Sequence, residues 1–246
     1  MSLACDLAGR HILLTGAARG LGAVIARHLA EAGAQLTLAD ILEDEGRAVA
    51  GELDADFHRV DLRDPASIEA LGAKLEGPLH GLFNNGAIAT GIGGIGFEEV
   101  DIDTWDRVME VNVRGTWLMT KAATPALRAA GTGRIVNVAS DTALWGAPNL
   151  MSYVASKGAV MSMTRSLARE LGPDGIGVTA IAPGILTTES TDYVPQARHD
   201  QYGTGRAVPG PQPPEDVAGT VAFLLSEAAL TLTGQVLPVN RGFVFT

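Results

Sequence analysis

The chain has 246 residues, of which 46% are hydrophobic and 19% charged, and its formal net charge is −10. These values predict one domain, 1–246, with a substantial apolar core. Because nothing would offset phosphate repulsion, the acidic balance excludes nucleic acid and anionic membranes as expected partners. The chain also lacks the charged leader of a signal peptide and an apolar run of about 18 residues, so we expect a cytoplasmic protein. The lone Cys5 predicts neither a disulfide nor a metal site.

Short apolar runs alternate with longer segments of helical period, which predicts repeated βα units. The predicted strands, in chain order, are 11–16, 34–40, 57–62, 79–85, 133–140, 176–183 and 234–240. The predicted helices are 22–32, 44–53, 65–75, 104–130, 153–171 and 214–226. This pattern predicts an α/β fold with a doubly wound sheet of seven mainly parallel strands and helices on both faces.

Two segments fall outside this alternation. Residues 89–100 carry four glycines and predict a flexible loop ahead of a helix capped near Asp103. The segment that begins at residue 187 is polar and rich in Pro and Gly, and long stretches of this kind are either binding loops or disordered insertions. Because it follows the carboxyl end of a strand, we interpret about 187–213 as a substrate lid.

A glycine-rich loop, "TGAARGLG", joins the first strand to the first helix. Its glycines allow a tight turn and a close approach to a pyrophosphate, and the helix start supplies N–H donors. The order of strand, loop, helix and second strand predicts a Rossmann-type dinucleotide-binding unit. The predicted cofactor contacts in this loop are Gly16, Arg19, Gly20, Leu21 and Gly22.

The choice between NAD and NADP depends on two charged residues. Asp40 ends the second strand, 18 residues beyond Gly22, where a carboxylate accepts the ribose hydroxyls and repels a 2′-phosphate. Arg19 favours NADP, since its guanidinium could pair with that phosphate. No second cation follows Asp40, so we predict NAD.

The next strand ends supply further predicted cofactor contacts. Asp61 and Leu62 end the third strand, where the adenine edge is expected. Asn84 and Gly86, in "NNGA", end the fourth strand and bring small residues beside the cofactor. Either stretch taken alone is an ordinary strand end followed by a turn.

A phenol and an ammonium stand one helical turn apart in "SYVASKGAV", as Tyr153 and Lys157. Alone, such a pair is usually a packing tyrosine beside a solvated lysine. Together with "TGAARGLG", "NNGA", Asn112 in "VMEVNVRGTW", Ser140 in "IVNVASDT", "APGILTT" and "TGQVLPVN", however, the sequence resembles the classical short-chain dehydrogenase/reductase family from about residue 7 to residue 242. Two departures are the exchanged Gly86 and Ala87 and the "NRG" near the end, where the family has Asp-Gly-Gly.

The resemblance implies roles for four catalytic residues. Tyr153 is the general acid/base, and Lys157 lowers the pKa of its phenol and binds the nicotinamide ribose. Ser140 holds the substrate oxygen, and Asn112 binds a water that relays protons to Lys157. Tyr153 and Lys157 thereby also contact the cofactor, and no catalytic metal is expected.

Downstream, the resemblance places a nicotinamide clamp in "PGILTT", with Pro183, Gly184, Leu186 and Thr188 as contacts and Thr187 as a competitor for the last role. Candidate substrate-pocket residues precede the catalytic tyrosine or lie in the lid. They are Thr142, Leu144, Trp145, Met151, Tyr193 and Tyr202, with His199 as a further lid residue. Trp145 is interpreted equally well as core or subunit interface.

These residues predict an NAD-dependent enzyme that interconverts a small secondary alcohol and its ketone, with cyclic and aromatic compounds among the candidates. One alternative is a dehydrogenase of a primary aromatic carbinol or hemiacetal, similar to pyridoxal 4-dehydrogenase. Others are an enzyme similar to 3-oxoacyl reductases and a catalytically silent NAD-binding regulator. The resemblance predicts a homotetramer or a dimer. The apolar tail "FVFT" fits burial in a subunit interface, and it equally fits packing onto its own subunit.

Overall fold

The computed structural model describes residues 5–246. Its strands are β1 (His11–Thr15), β2 (Gln35–Asp40), β3 (Asp56–Arg59), β4 (Gly81–Asn84), β5 (Arg134–Val138), β6 (Gly177–Pro183) and β7 (Val236–Val239). Its α-helices are α1 (Gly20–Glu31), α2 (Glu43–Leu53), α3 (Pro65–Gly72), α4 (Ile102–Met109), α5 (Thr116–Ala130), α6 (Thr142–Trp145), α7 (Met151–Leu171), α8 (Gln196–Gly205) and α9 (Glu215–Leu225).

The strands form one sheet in the order β3-β2-β1-β4-β5-β6-β7, and every pair of neighbours is parallel. The predicted doubly wound sheet is therefore confirmed. The strand order reverses between β1 and β4, where Thr15 lies opposite Asn84. In an open parallel sheet, the crevice outside the carboxyl ends at this reversal is the usual ligand site.

Helices cover both faces of the sheet because successive side chains of a buried strand point to opposite faces. In β1, Ile12 and Leu14 join a core formed with α1, α2 and α9, whereas Leu13 joins a second core formed with α3, α5 and α7. All three side chains are fully buried. This burial on both faces explains the continuous apolar run "ILL".

The long helix predicted over 104–130 is interrupted. The structure has α4, then a π-helical turn over Glu110–Gly115, then α5. Helix α4 begins two residues earlier than predicted, because Asp101 caps it by accepting a hydrogen bond from the Thr104 N–H at 2.7 Å. The extra residue of a π-turn is often found at functional sites.

The lid segment contains a helix that its sequence does not predict. Helix α8 has only one buried side chain, that of Tyr202, so it shows no apolar stripe. The Tyr202 ring stacks on the Phe243 ring at 4.1 Å and meets the Trp145 ring edge-on at 6.4 Å. Contacts with the C-terminal segment and with α6 therefore fix this part of the lid.

We expect Gly22→Ala to lower the free energy of unfolding by about 1–3 kcal/mol through overpacking. A Cβ at Gly22 would lie 1.8 Å from the Gly16 carbonyl oxygen, so the glycine loop would have to move. Thermal unfolding measures the effect as a lower Tm. Gly51→Ala is the matched control, because Gly51 lies on α2 facing open space and alanine favours the helix. A Tm for Gly22→Ala at or above that of the control would contradict this account.

Among the helices of residues 5–246, none combines the length and apolar character needed to cross a membrane.

Candidate active site

A cleft of about 1050 Å³ runs along the carboxyl ends of the strands. Its walls come from the glycine loop, the ends of β2 to β6, the start of α7 and the lid. Of the predicted site residues, the cleft lining includes Gly16, Arg19, Gly20, Leu21, Asp40, Asp61, Leu62, Gly86, Ser140, Thr142, Tyr153, Lys157, Pro183, Gly184, Leu186, Thr188, Tyr193 and Tyr202. The structure thus brings most of the predicted residues to one surface.

The glycine loop leaves the start of α1 open to an anion. Arg19 occupies the N-cap position without a side-chain capping hydrogen bond, and the first turn has no acidic residue. Gly16 has φ +67°, and a Cβ there would lie 2.7 Å from the Gly86 Cα. The first-turn N–H groups of a helix need acceptors, so these residues fit a pyrophosphate. Gly22 lies outside the lining. Its missing side chain lets α1 pack closely against the Gly16 carbonyl of the loop.

Asp40 supports the glycine loop as well as facing the cleft. One carboxylate oxygen accepts a hydrogen bond from the Ala18 N–H at 2.9 Å, and the other accepts from the Leu42 N–H at 3.0 Å. A carboxylate has about four acceptor sites, so capacity remains for ribose hydroxyls. Arg19 lines the same part of the cleft.

Asn84 differs from its predicted role because it lies beneath the cleft and outside the lining. Its amide nitrogen donates to Thr120 Oγ1 at 3.1 Å and to Asn137 Oδ1 at 2.9 Å. Asn137 in turn donates to Thr164 Oγ1 at 3.0 Å. This buried polar chain joins α5, β4, β5 and α7. The cleft surface at the end of β4 belongs instead to Asn85, Gly86 and the residues that follow.

Tyr153 and Ser140 meet in the middle of the cleft. Burial raises the pKa of Tyr153 to about 12, and a hydrogen bond with the Ser140 hydroxyl acts in the opposite direction. Ser140 Oγ itself accepts a hydrogen bond from the Thr142 hydroxyl at 2.8 Å. Its own hydrogen is therefore available to an oxygen in the cleft.

Lys157 is buried beside this pair, with its Nζ 5.5 Å from the centre of the Tyr153 ring. The ammonium donates to the Val138 carbonyl at 2.7 Å, and burial lowers the pKa of Lys157 to about 8. The sequence predicts that Lys157 lowers the pKa of Tyr153. Burial of the phenol instead dominates and raises the pKa of Tyr153.

Asn112 lies in the π-turn, buried and outside the cleft lining. Its side chain accepts from the Ile88 N–H at 2.8 Å and donates to the Ile88 carbonyl at 3.0 Å. It also donates to Ser156 Oγ at 3.1 Å. Asn112 therefore joins the loop after β4 to α7, next to Lys157.

At the clamp segment the structure separates the two threonines. Thr188 lines the cleft and shares a hydrogen bond of 2.8 Å with the Ser190 hydroxyl. Thr187 instead lies on a second cavity of about 360 Å³ behind the lid, together with His199. Thr188 is thus the threonine placed to contact a ligand in the main cleft.

Three predicted pocket residues lie outside the cleft lining. Trp145 packs among aromatic side chains, where its Nε1 donates to the Tyr202 hydroxyl at 3.1 Å. Leu144 packs against a small core formed by α7 and the ends of β5 and β6, and Met151 is exposed at the start of α7. Tyr193 closes the cleft from the other side by donating to the Ala89 carbonyl.

Sequence reasoning missed Asp141, which lines the cleft directly after Ser140. Its side chain is buried, accepting from the Tyr202 hydroxyl at 2.6 Å and from the Asn240 amide at 3.2 Å. Burial raises the pKa of Asp141 to about 6, with these hydrogen bonds acting in the opposite direction. A carboxylate beside Ser140 at a strand end was the available signal. Asp141 joins β5, the lid and the C-terminal segment.

Residues 16–244 match the sequence profile described as enoyl-(acyl carrier protein) reductase. The chain is 37% identical to the 3-alpha-(or 20-beta)-hydroxysteroid dehydrogenase of Mycobacterium tuberculosis over 243 residues, which cover 97% of this chain and 90% of the relative. The chain belongs to the classical short-chain dehydrogenase/reductase family. A further relative in this family is the trans-4-hydroxycyclohexanecarboxylate dehydrogenase of Sinomonas cyclohexanicum, 36% identical over 94% of this chain and 91% of the relative.

Solved structures of short-chain dehydrogenases/reductases have the same fold. The 3-ketoacyl-(acyl-carrier-protein) reductase of Brucella melitensis, complexed with NADH, superposes with a TM-score of 0.89 at 34% identity, covering 97% of this chain and 100% of that one. A protein from Beutenbergia cavernae that is described as an NAD(P)-dependent gluconate 5-dehydrogenase, with NADP bound at low occupancy, also gives 0.89, at 33% identity over 97% of this chain and 98% of that one. As a short-chain dehydrogenase/reductase, this chain is an oxidoreductase of alcohol groups with a nicotinamide cofactor.

Proposed function

We propose that the protein is an NAD-dependent dehydrogenase, and carbonyl reductase in reverse, of small secondary alcohols. The observation that carries the proposal is the meeting of Ser140, Tyr153 and Lys157 in a cleft that also contains the open glycine loop and Asp40. Bound nicotinamide supplies the hydride acceptor or donor and, in its oxidised form, a positive charge. The residues that would hold it are those of the glycine loop, the strand ends and the clamp.

The chain's own residues manage the proton. Tyr153 takes the hydroxyl proton during alcohol oxidation and returns it during ketone reduction. Ser140 orients the substrate oxygen, because its hydroxyl is supported by Thr142 and is free to donate. Lys157 supplies an ammonium beside the phenol. For Asn112 we retain the proposed water relay, supported by its hydrogen bond to Ser156, the neighbour of Lys157.

The lining of the cleft supports a ring-bearing substrate. It includes apolar residues, among them Ile88, Pro148, Leu150, Val194 and Pro195. The relatives named above act on steroid and cyclohexane hydroxyls. Transferred to this chain, these names support a cyclic secondary alcohol over a primary aromatic carbinol.

A direct test uses purified protein, NAD and a panel of cyclic secondary alcohols, primary aromatic carbinols and 3-hydroxyacyl thioesters, with absorbance at 340 nm as readout. Fastest turnover of a cyclic secondary alcohol supports the proposal. If a carbinol or a thioester were turned over fastest, that compound class would replace cyclic secondary alcohols as the proposed substrate. Tight NADH binding without turnover of any compound would favour a silent NAD-binding regulator.

We expect Asp40→Asn to lower the ratio of kcat/KM with NAD to kcat/KM with NADP by roughly tenfold, since the carboxylate no longer repels a 2′-phosphate. Asparagine retains an acceptor for the Ala18 N–H, so the loop support remains. Asp61→Asn is the control, because Asp61 lies at the end of the next strand, and its ratio should change less than threefold. A wild-type preference for NADP would show that Arg19 outweighs Asp40.

We also propose self-association as a homotetramer in the cytoplasm, as the family resemblance implies. The support from the structure is a set of exposed large apolar side chains, which a subunit interface would bury. They are Phe97, Ile102, Trp117, Phe223 and Phe245.

A further inference from the structure

The lid presents one cation and no carboxylate to the cleft within the described residues. Arg198, on α8, lines the cleft. The acidic residues of the same segment, Glu189, Asp192 and Asp200, do not. The chain has a net charge of −10, so a segment that turns its arginine, and none of its acidic residues, toward the cleft is unexpected.

The guanidinium of Arg198 contacts neutral groups and has no carboxylate partner within the described residues. It lies 5.0 Å over the Trp145 ring, and its Nη2 makes a long hydrogen bond of 3.4 Å to the Pro148 carbonyl. None of the salt bridges found in residues 5–246 involves Arg198. A guanidinium has five N–H donors, so most of this one remains available. Because Trp145 and Pro148 fix the side chain, little rotamer entropy is lost on binding an anion.

The carboxylates of the cleft do not compete for this cation. Asp40 and Asp61 lie at the ends of β2 and β3, at the cofactor end. Asp141 accepts hydrogen bonds from Tyr202 and Asn240. None of the carboxylates that line the cleft therefore makes a salt bridge with Arg198.

The same cleft contains the proposed reacting centre and apolar side chains. Ser140 and Tyr153 line it, and so do Pro148, Leu150 and Val194. A substrate that satisfies both the reacting centre and Arg198 has a hydroxyl, an apolar body and an anionic group. The planar fork of arginine matches a carboxylate with two parallel hydrogen bonds.

We propose that the substrate is a secondary alcohol with a carboxylate remote from the reacting carbon, and that Arg198 binds this carboxylate. The proposal rests on the alcohol dehydrogenase activity proposed above. It makes Arg198 a specificity-determining residue, distinct from the groups that move the proton.

The test compares two acids with their methyl esters as substrates: 4-hydroxycyclohexanecarboxylate and the linear 6-hydroxyheptanoate, both with a carboxylate remote from the secondary alcohol. In the wild-type protein we expect kcat/KM for the better acid to exceed that of its ester by roughly tenfold to hundredfold, the range of a charged hydrogen-bonded contact. In Arg198→Gln this preference should disappear through a higher KM, while kcat/KM for the ester stays within about twofold. Arg198→Lys should retain part of the preference. Arg165→Gln, which removes an exposed arginine of α7, should leave it unchanged.

Two results would overturn the carboxylate proposal while leaving the alcohol dehydrogenase intact. One is an ester turned over as well as its acid by the wild type. The other is an equal loss for acid and ester in Arg198→Gln, which would assign Arg198 a purely structural contact with Trp145 and Pro148. Absence of turnover for acids, esters and unsubstituted cyclic alcohols alike would overturn both proposals.

Discussion

Replacing Tyr153 with phenylalanine should lower kcat by about 10³-fold or more, because positioned acid–base catalysis contributes roughly 10²–10⁴. In the proposed mechanism the phenol beside Ser140 takes the substrate proton, and phenylalanine keeps the ring without the oxygen. NADH binding, followed by the change in NADH fluorescence, should stay within about twofold of wild type, because the cofactor keeps the glycine loop and the strand ends.

Tyr193→Phe is the matched control for that experiment. It also removes a phenol from the cleft, but one that donates to the Ala89 carbonyl in the lid contact. Its kcat should fall less than tenfold. If Tyr153→Phe retained a tenth of the wild-type kcat, or if the two variants lost equal activity, the acid–base assignment would fail.

Lys157→Met should lower kcat/KM by about 10²-fold or more and change the pH profile of alcohol oxidation. The kcat/KM profile reports groups of the free enzyme. Lys157, with a pKa of about 8 lowered by burial, loses its charge above that pH. We expect an inflection near pH 8 in the wild type that is absent in Lys157→Met. The same inflection in both proteins would assign it to another group.

Measurements of Tm against pH show whether Lys157→Met loses activity because its fold is less stable. The pKa of Lys157 falls from 10.5 in the unfolded chain to about 8 in the fold. The unfolded state thus binds more protons between pH 8 and pH 10.5, and wild-type stability gains with pH across this window. Below pH 8 the buried charge opposes folding. Lys157→Met should therefore have a Tm at pH 7 no lower than wild type, and any advantage should shrink above pH 8.

The sequence predicts the sheet well because the central strands β1, β4 and β6 are short, mostly apolar runs whose burial dominates their energy. The carboxyl ends of the strands then determine where the motif residues meet, which explains why Ser140, Tyr153 and the glycine loop share one cleft. The π-turn was not predictable, since one extra residue at 110–115 leaves the apolar pattern of 104–130 almost unchanged.

The lid was the least predictable region for a different physical reason. Helix α8 is polar, and what fixes it is the contact of Tyr202 with Asp141, Trp145 and Phe243, residues far apart in the chain. The same holds for Asn84. Its position at a strand end suggests a cofactor contact, but its partners Thr120 and Asn137 lie inside the fold. Single-sequence patterns contain no information on such partners.

The buried chain of Asn84, Asn137 and Thr164 has a consequence for motion during turnover. It connects the interior side of α7 to two central strands, so α7 can loosen only when buried polar groups lose their partners, which is costly. Parts of the lid rest on exposed contacts, such as the Tyr193 hydrogen bond, and such regions open locally at low free energy. We therefore expect the segment around Tyr193 to open at a lower free energy than α7, which holds Tyr153 and Lys157 in place.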